Sequence, residues 1–166
     1  MRERRAGYAA PRVTTLDPRA IDALKRQSVA QLLFKCARII NERAIERVNR
    51  RIGPEPALRA SHAALLPHLT SEGVRGADLA KKLRVTKQAV SQLVAELEYW
   101  GVVEQVDDPK DGRAKLVRFT RKGEQSLLQG LAVLGELEQE LELQIGKRRM
   151  QELHTALIAL EDALGE

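Results

Sequence analysis

The chain has 166 residues, enough for one domain with a real core, and carries a formal net charge of +5. Its few aromatics and many Leu, Ala, Glu and Arg argue against a β-sandwich and for a mainly helical protein. A single cysteine, Cys36, excludes an intrachain disulfide, and no apolar run approaches the length of a membrane span.

The charge is unevenly spread: residues 1–53 hold thirteen Lys/Arg against five Asp/Glu, and residues 124–166 hold three against nine. A basic front and an acidic rear suggest nucleic acid as a partner while leaving much of the asymmetry to internal pairing. The Arg-rich start lacks the apolar stretch of a signal peptide, so a cytosolic, nucleoid-associated protein is expected.

Residues 1–17 show no helical or strand period and read as a mobile basic tail, its arginines either solvated or touching a DNA backbone. Asp17-Pro18 is a helix start, an acidic cap with proline at the first helical position. From there to about Arg51 the spacing predicts one long helix. Leu24, Ser28, Leu32, Cys36, Ile39, Ile40, Ile45 and Val48 form its apolar side, and Gly53-Pro54 stops it. Cys36 on that stripe reads as core packing with a raised thiol pKa; the alternative is a redox-sensing thiol. A further helix is expected from Pro56 to about Leu69, with Leu58, His62, Leu65, Leu66 and Leu69 at helical spacing.

Residues 74–120 carry the densest signal. Leu79, Ala80, Leu83, Val85, Val90, Leu93, Val94 and Leu97 recur at three- and four-residue steps, and the turn at Arg84-Val85 permits only two helices at a steep angle, a helix-turn-helix. Thr86 is the expected N-cap of the second helix, and Gly101 its left-handed stop. Lys87, Gln88, Ser91, Gln92, Ala95 and Glu96 are expected on the face away from the core, with a row of donors on its N-terminal half suited to base edges or phosphates in a major groove. A hairpin follows, with Val102, Val103 and Val106 on one strand and Leu116, Val117 and Phe119 on the other. Lys110, Arg113, Lys115 and Arg118 cluster on and beside its tip. A basic hairpin after a helix-turn-helix is a winged helix. Arg113 is expected to enter a minor groove, with Arg75 and Lys115 as backbone contacts.

The run LRVTKQAVSQLVAELEYWGVV, followed by DPKDGRAKLVRFTRKG, resembles the MarR family of bacterial transcriptional regulators. Asp111-Gly112-Arg113 is similar to the family's D-x-R wing motif, and Thr120-Arg121-Lys122-Gly123 to its exit into the next helix. One position departs: Arg84 stands where the family often has Gly, and a positive φ there carries strain. The resemblance implies a winged helix-turn-helix on long terminal dimerisation helices, and a homodimer bound to double-stranded DNA. It also implies relief by a small aromatic or phenolic effector; Arg38, Arg43 and His62 are candidates to hold such an anion, unless both arginines pair with the acidic rear. Asp111 is expected to orient Arg113.

The expected layout is therefore a tail over 1–17, an N-terminal dimerisation helix over 18–53, the winged helix-turn-helix over 54–123 and C-terminal dimerisation helices over 124–166. In the last part a helix is expected from Lys122 to about Ile145, with Leu127, Leu131, Leu134, Leu141 and Ile145 on its seam. Another runs from Lys147 to Leu164, with Met150, Leu153, Leu157, Leu160 and Leu164 at strict 3-4 steps, a seam meant for another helix. His62 and His68 are six apart and do not share a helix face, so no metal site is expected. No phosphate loop, nucleophile elbow or carboxylate pair stands out, so neither an enzyme nor a cofactor is expected. The competing reading is a winged helix used as a protein–protein module.

Overall fold

The computed structural model describes residues 17–52 and 57–165, so the expected tail and the Gly53-Pro54 stop lie outside the described residues. Helix α1, Pro18–Gln27, starts as expected, the Asp17 side chain accepting from the Arg19 N–H at 3.0 Å. The single long helix is corrected. Ser28 is extended (φ −85°, ψ 115°) and separates α1 from α2, Val29–Ile52. Its hydroxyl accepts from Gln31 N at 3.3 Å, so a residue expected on the apolar stripe caps a new helix instead of continuing the old one.

The chain divides into two compact units at Ile39/Ile40, within α2. In the first unit no residue of α1 is buried, and Cys36 is exposed, which corrects its assignment to core packing. A stripe at helical spacing locates an apolar face but does not say that the same chain covers it.

In the second unit the connection out of α2 is pinned by Asn49, which donates to Leu58 O at 2.9 Å and accepts from Leu58 N at 2.7 Å. The next helix is shorter than expected: α3 covers Ala60–Leu65 and tightens into a 3-10 turn at Leu66–His68. Pro67 has no N–H to continue the α ladder. Strand β1, Val74–Arg75, leads into α4, Gly76–Leu83. Arg84 then takes the left-handed conformation (φ 54°, ψ 40°), with Val85 N bonding Ala80 O at 3.1 Å. The strain foreseen for a non-glycine residue there is present.

Helix α5, Lys87–Tyr99, is capped by Thr86, whose hydroxyl accepts from Ala89 N at 3.1 Å. It ends at Gly101 (φ 71°), with Val102 N bonding Leu97 O at 2.9 Å. Leu65, Leu69, Leu79, Ala80, Val90, Val94, Leu97, Val103 and Val117 close the core beneath it. Strands β2, Val103–Asp108, and β3, Asp111–Phe119, form the wing. β1, which the sequence reading missed, pairs antiparallel with β3 to give the order β1-β3-β2.

α6, Arg121–Ile145, leaves the wing through a tight junction. The Thr120 hydroxyl donates to Gly101 O at 2.6 Å and accepts from Gly123 N at 3.0 Å, while Lys122 Nζ donates to Trp100 O at 2.6 Å. The buried residues of α6 are Gly123, Val133 and Leu137; Leu131, expected on its seam, is 53% exposed. Arg47 grips Glu140 with two bonds of 2.9 and 2.6 Å, and Arg51 bonds Glu136, so basic α2 meets acidic α6 as the charge asymmetry suggested. α7, Lys147–Leu164, buries nothing, and Leu153, Leu157, Leu160 and Leu164 are all exposed along it.

One buried polar node ties α3 to α5. His62 is fully buried, its ring edge-on to Trp100 at 4.6 Å between centroids. Its Nδ1 accepts from Arg59 N at 3.2 Å, which fixes the remaining proton on Nε2, 2.9 Å from Glu96 Oε2; the Arg59 guanidinium bonds the same oxygen. Burial pushes the His62 pKa down against the opposing pull of Glu96. Protonation would set Nδ1–H against the Arg59 N–H, two donors face to face.

Two outcomes are expected from this packing. A Cβ on Gly123 would stand 1.8 Å from Val102 O, so Gly123→Ala should destabilise the fold by about 1–3 kcal/mol in a urea titration. Because the folded pKa of His62 lies below its ordinary 6.5, its contribution to stability is complete above that pH. It falls as pH drops towards the folded pKa, where unfolding takes up a proton. Urea midpoints measured from pH 8 to 5 should be flat above about 6.5 and decline below it, and His62→Gln should flatten the decline.

Candidate nucleic-acid interface

Two exposed features belong to the same small core: the outer face of α5 and the wing tip. On α5, Thr86, Lys87, Gln88, Ser91 and Gln92 are all exposed, as their spacing predicted. Among the described residues the Lys87 and Gln88 side chains make no hydrogen bond or ion pair, so their donors are uncommitted. The Ser91 hydroxyl donates to Lys87 O at 2.9 Å and keeps only acceptor capacity towards solvent. Gln92 Nε2 donates to Glu96 Oε1 at 3.3 Å.

The wing is built differently from expectation. Its turn is the two residues Pro109-Lys110, and Asp111 and Arg113 lie on β3 instead of in a loop. Asp107 pairs with Lys115 and Asp108 with Asp111, so Gly112, Arg113 and Ala114 fall between consecutive paired positions. This irregularity lifts Arg113 clear of the ladder, as bulges at sheet rims do. Lys110 and Arg113 are exposed, and among the described residues neither side chain has a partner.

Two expected roles are corrected here, those of Arg75 and His62. Asp111 meets Arg113 through the backbone, its carboxylate accepting from the Arg113 N–H at 3.2 Å, and faces Arg75 at 3.9 Å. Arg75 is not an uncommitted phosphate contact, since its Nε donates to Asp108 Oδ2 at 2.7 Å and a second nitrogen bonds the same oxygen. His62 cannot serve as an open anion site, because it is sealed in the core with both ring nitrogens engaged. Lys115 is exposed but paired with Asp107 at 2.6 Å, and Arg118 pairs with Glu104 at 2.8 Å. Of the other two residues considered for an anion, Arg38 falls in the first unit, and Arg43 in the second, where its charge helps hold Glu140 below the usual carboxylate range.

The residue that anchors the wing, Asp108, went unnoticed in the sequence. It is buried, and its Oδ1 accepts from Lys110 N at 2.8 Å while Oδ2 takes Arg75. The Lys110 N–H first, and then the guanidinium, hold its carboxyl below the ordinary range. The available signal was its place just before Pro109, where an Asx turn begins. Glu98 was missed as well; it accepts from Gln105 Nε2 at 2.9 Å and joins α5 to the wing strand. Among the described residues no cluster of His, Cys, Asp and Glu could hold a metal ion, and no helix is long and apolar enough to cross a membrane.

Comparison with known proteins agrees with this geometry. The sequence model of the MarR family matches residues 58–114, whereas no curated protein matches the chain. Among solved structures, MepR of Staphylococcus aureus, a transcription regulator of the multidrug efflux pump MepA, aligns with a TM-score of 0.63 at 19% identity, over 82% of this chain and 98% of that one. The transcriptional regulator BldR of Sulfolobus solfataricus aligns at 29% identity and TM-score 0.56, over 81% and 94%. CouR of Rhodococcus jostii RHA1, solved bound to p-coumaroyl-CoA, aligns at 21% identity and TM-score 0.60, over 82% and 93%. The MarR family model is thus matched over the helix-turn-helix and most of the wing, about a third of the chain, and the winged-helix fold is shared with these solved structures across four-fifths of it.

Proposed function

We propose that the chain is a transcriptional repressor that binds, as a homodimer, a pseudo-palindromic operator in duplex DNA in the cytoplasm. The observation that carries this reading is the pairing of two uncommitted surfaces on one core. Lys87 and Gln88 present uncommitted donors from the first turn of α5, and Lys110 and Arg113 stand without partners at the wing tip among the described residues. In this reading α5 enters the major groove, where glutamine suits adenine and lysine reaches guanine or phosphate. Arg113 enters the neighbouring minor groove, and Asp111, by holding the backbone of residue 113, sets where that arginine starts. Arg75 and Asp108 stiffen the base of the wing, and Lys115 contacts phosphate only by sharing its charge with Asp107.

The dimer is supported by what a single chain leaves uncovered. No residue of α1, α2 or α7 is buried, and α7 keeps a leucine stripe at seam spacing in solvent. We assign the homodimer chiefly to α7. Release by a small aromatic or phenolic ligand belongs to this reading through the family alone, and His62 has no part in it.

Two expected outcomes test the reading. Titration of random duplex DNA against salt should give the steep log–log loss of affinity that counterion release produces, and on a selected operator Arg113→Ala should weaken binding roughly tenfold or more at matched salt with the fold intact. A shallow salt dependence would favour a protein–protein module, and an unaffected Arg113→Ala would remove the wing from the interface. Leu157→Asp places a carboxylate in the leucine stripe and should give monomer in sedimentation equilibrium, with operator binding lost. The parent should select half-sites about one helical turn apart, roughly 10 base pairs.

A further inference from the structure

Gln92, exposed on the outer face of α5, has a donor already taken by another side chain of the protein. Its partner, Glu96, is not free to move: Oε2 is held by buried His62 at 2.9 Å and by the Arg59 guanidinium, leaving Oε1 for Gln92 Nε2 at 3.3 Å. An ionised carboxylate only accepts hydrogen bonds. Burial pushes the Glu96 carboxyl up, but the bonds and charges of His62 and Arg59 outweigh it and keep the group ionised. The amide of Gln92 therefore has one orientation, its nitrogen on the Glu96 side with one of its two N–H groups spent there, and its carbonyl oxygen turned away from Glu96.

We propose that Glu96 is a specificity-determining positioning residue, which never touches DNA but fixes Gln92 so that it reads a base through its carbonyl oxygen. This rests on the DNA-binding reading and adds a base class to it. An acceptor in the major groove selects bases that present an exocyclic amino group there, adenine through N6 or cytosine through N4. A freely rotating glutamine would take either pattern. The chain of contacts runs from the N-cap of α3, through His62 and Glu96, to Gln92, so the fold itself sets the polarity of one reading group.

The test is a selection from random duplexes with the parent, Glu96→Gln and Gln92→Ala. Glu96→Gln keeps the side-chain volume. Its carbonyl oxygen is claimed by His62 and Arg59, so its amide nitrogen faces Gln92, which must turn its own oxygen inward and its nitrogen out. The parent should prefer adenine or cytosine at one base pair of each half-site by roughly fivefold or more. Glu96→Gln should invert that preference to guanine or thymine at the same pair, leaving the others unchanged. Gln92→Ala should abolish the preference at that pair alone, and because residue 92 is exposed it keeps the test open if Glu96→Gln does not fold. An unchanged preference at every pair in either folded variant, or a uniform loss of affinity without inversion in Glu96→Gln, overturns the assignment. If the parent enriches no duplex at all, the DNA-binding reading itself falls, and this inference with it.

Discussion

A helix that reads a surface has to offer one face to solvent while the rest is held rigidly, and in this chain the rigidity depends on how α5 is anchored along its length. Thr86 closes its first turn, Glu96 fastens its middle to α3, and Thr120 and Lys122 close over its last carbonyls from the start of α6. The bonds of His62 to Glu96 and of Thr120 to Gly101 O are part-buried, so there water does not compete freely for the groups they satisfy. Glu98 extends the same hold to the wing by bonding Gln105. Helix α5 and the wing strand β2 are thus joined by side-chain bonds as well as by the chain between them.

The periodic parts of this design were legible in the sequence. The buried residues of α4 and α5 were all foreseen from spacing, as were the Thr86 cap and the Gly101 stop, because these follow from local chemistry within a few residues. What could not be read were pairings across distance. The partners Arg75 and Asp108 lie thirty-three residues apart, and His62 and Glu96 thirty-four. No local pattern distinguishes a carboxylate that caps a turn from one that anchors a neighbouring strand. The anchoring role of Asp108 went unread for this reason, and His62 was considered for an anion site although helical spacing had already put it beside Leu65 and Leu66.

The terminal helices show a different limit. Heptad-like spacing in α7 and the stripe on α2 located apolar faces, but periodicity carries no information about which chain covers them. Ser28 adds a second lesson. Its position on the stripe made it a plausible helix interior, yet a hydroxyl that can accept from the turn ahead competes with the ladder behind. Arg47 and Arg51 on α2, by contrast, met acidic α6 as the charge asymmetry suggested, although exposed pairs of this kind orient helices more than they stabilise them.

The irregularity in the wing separates two tasks that a plain hairpin would couple. Below it, Asp107 and Lys115 keep the register that carries Val117 into the core; above it, Asp108 and Asp111 close the turn on their own. Side-chain direction in a strand alternates, so in an unbroken hairpin a one-residue slip in register would turn the apolar face of β3 outwards. Here Gly112, Arg113 and Ala114 stand between the two pairings, so a residue gained or lost among them need not alter the register below. The tip and the sheet beneath it are thus set by different pairings, so the hairpin's outer end can differ in length while Val117 keeps its place in the core.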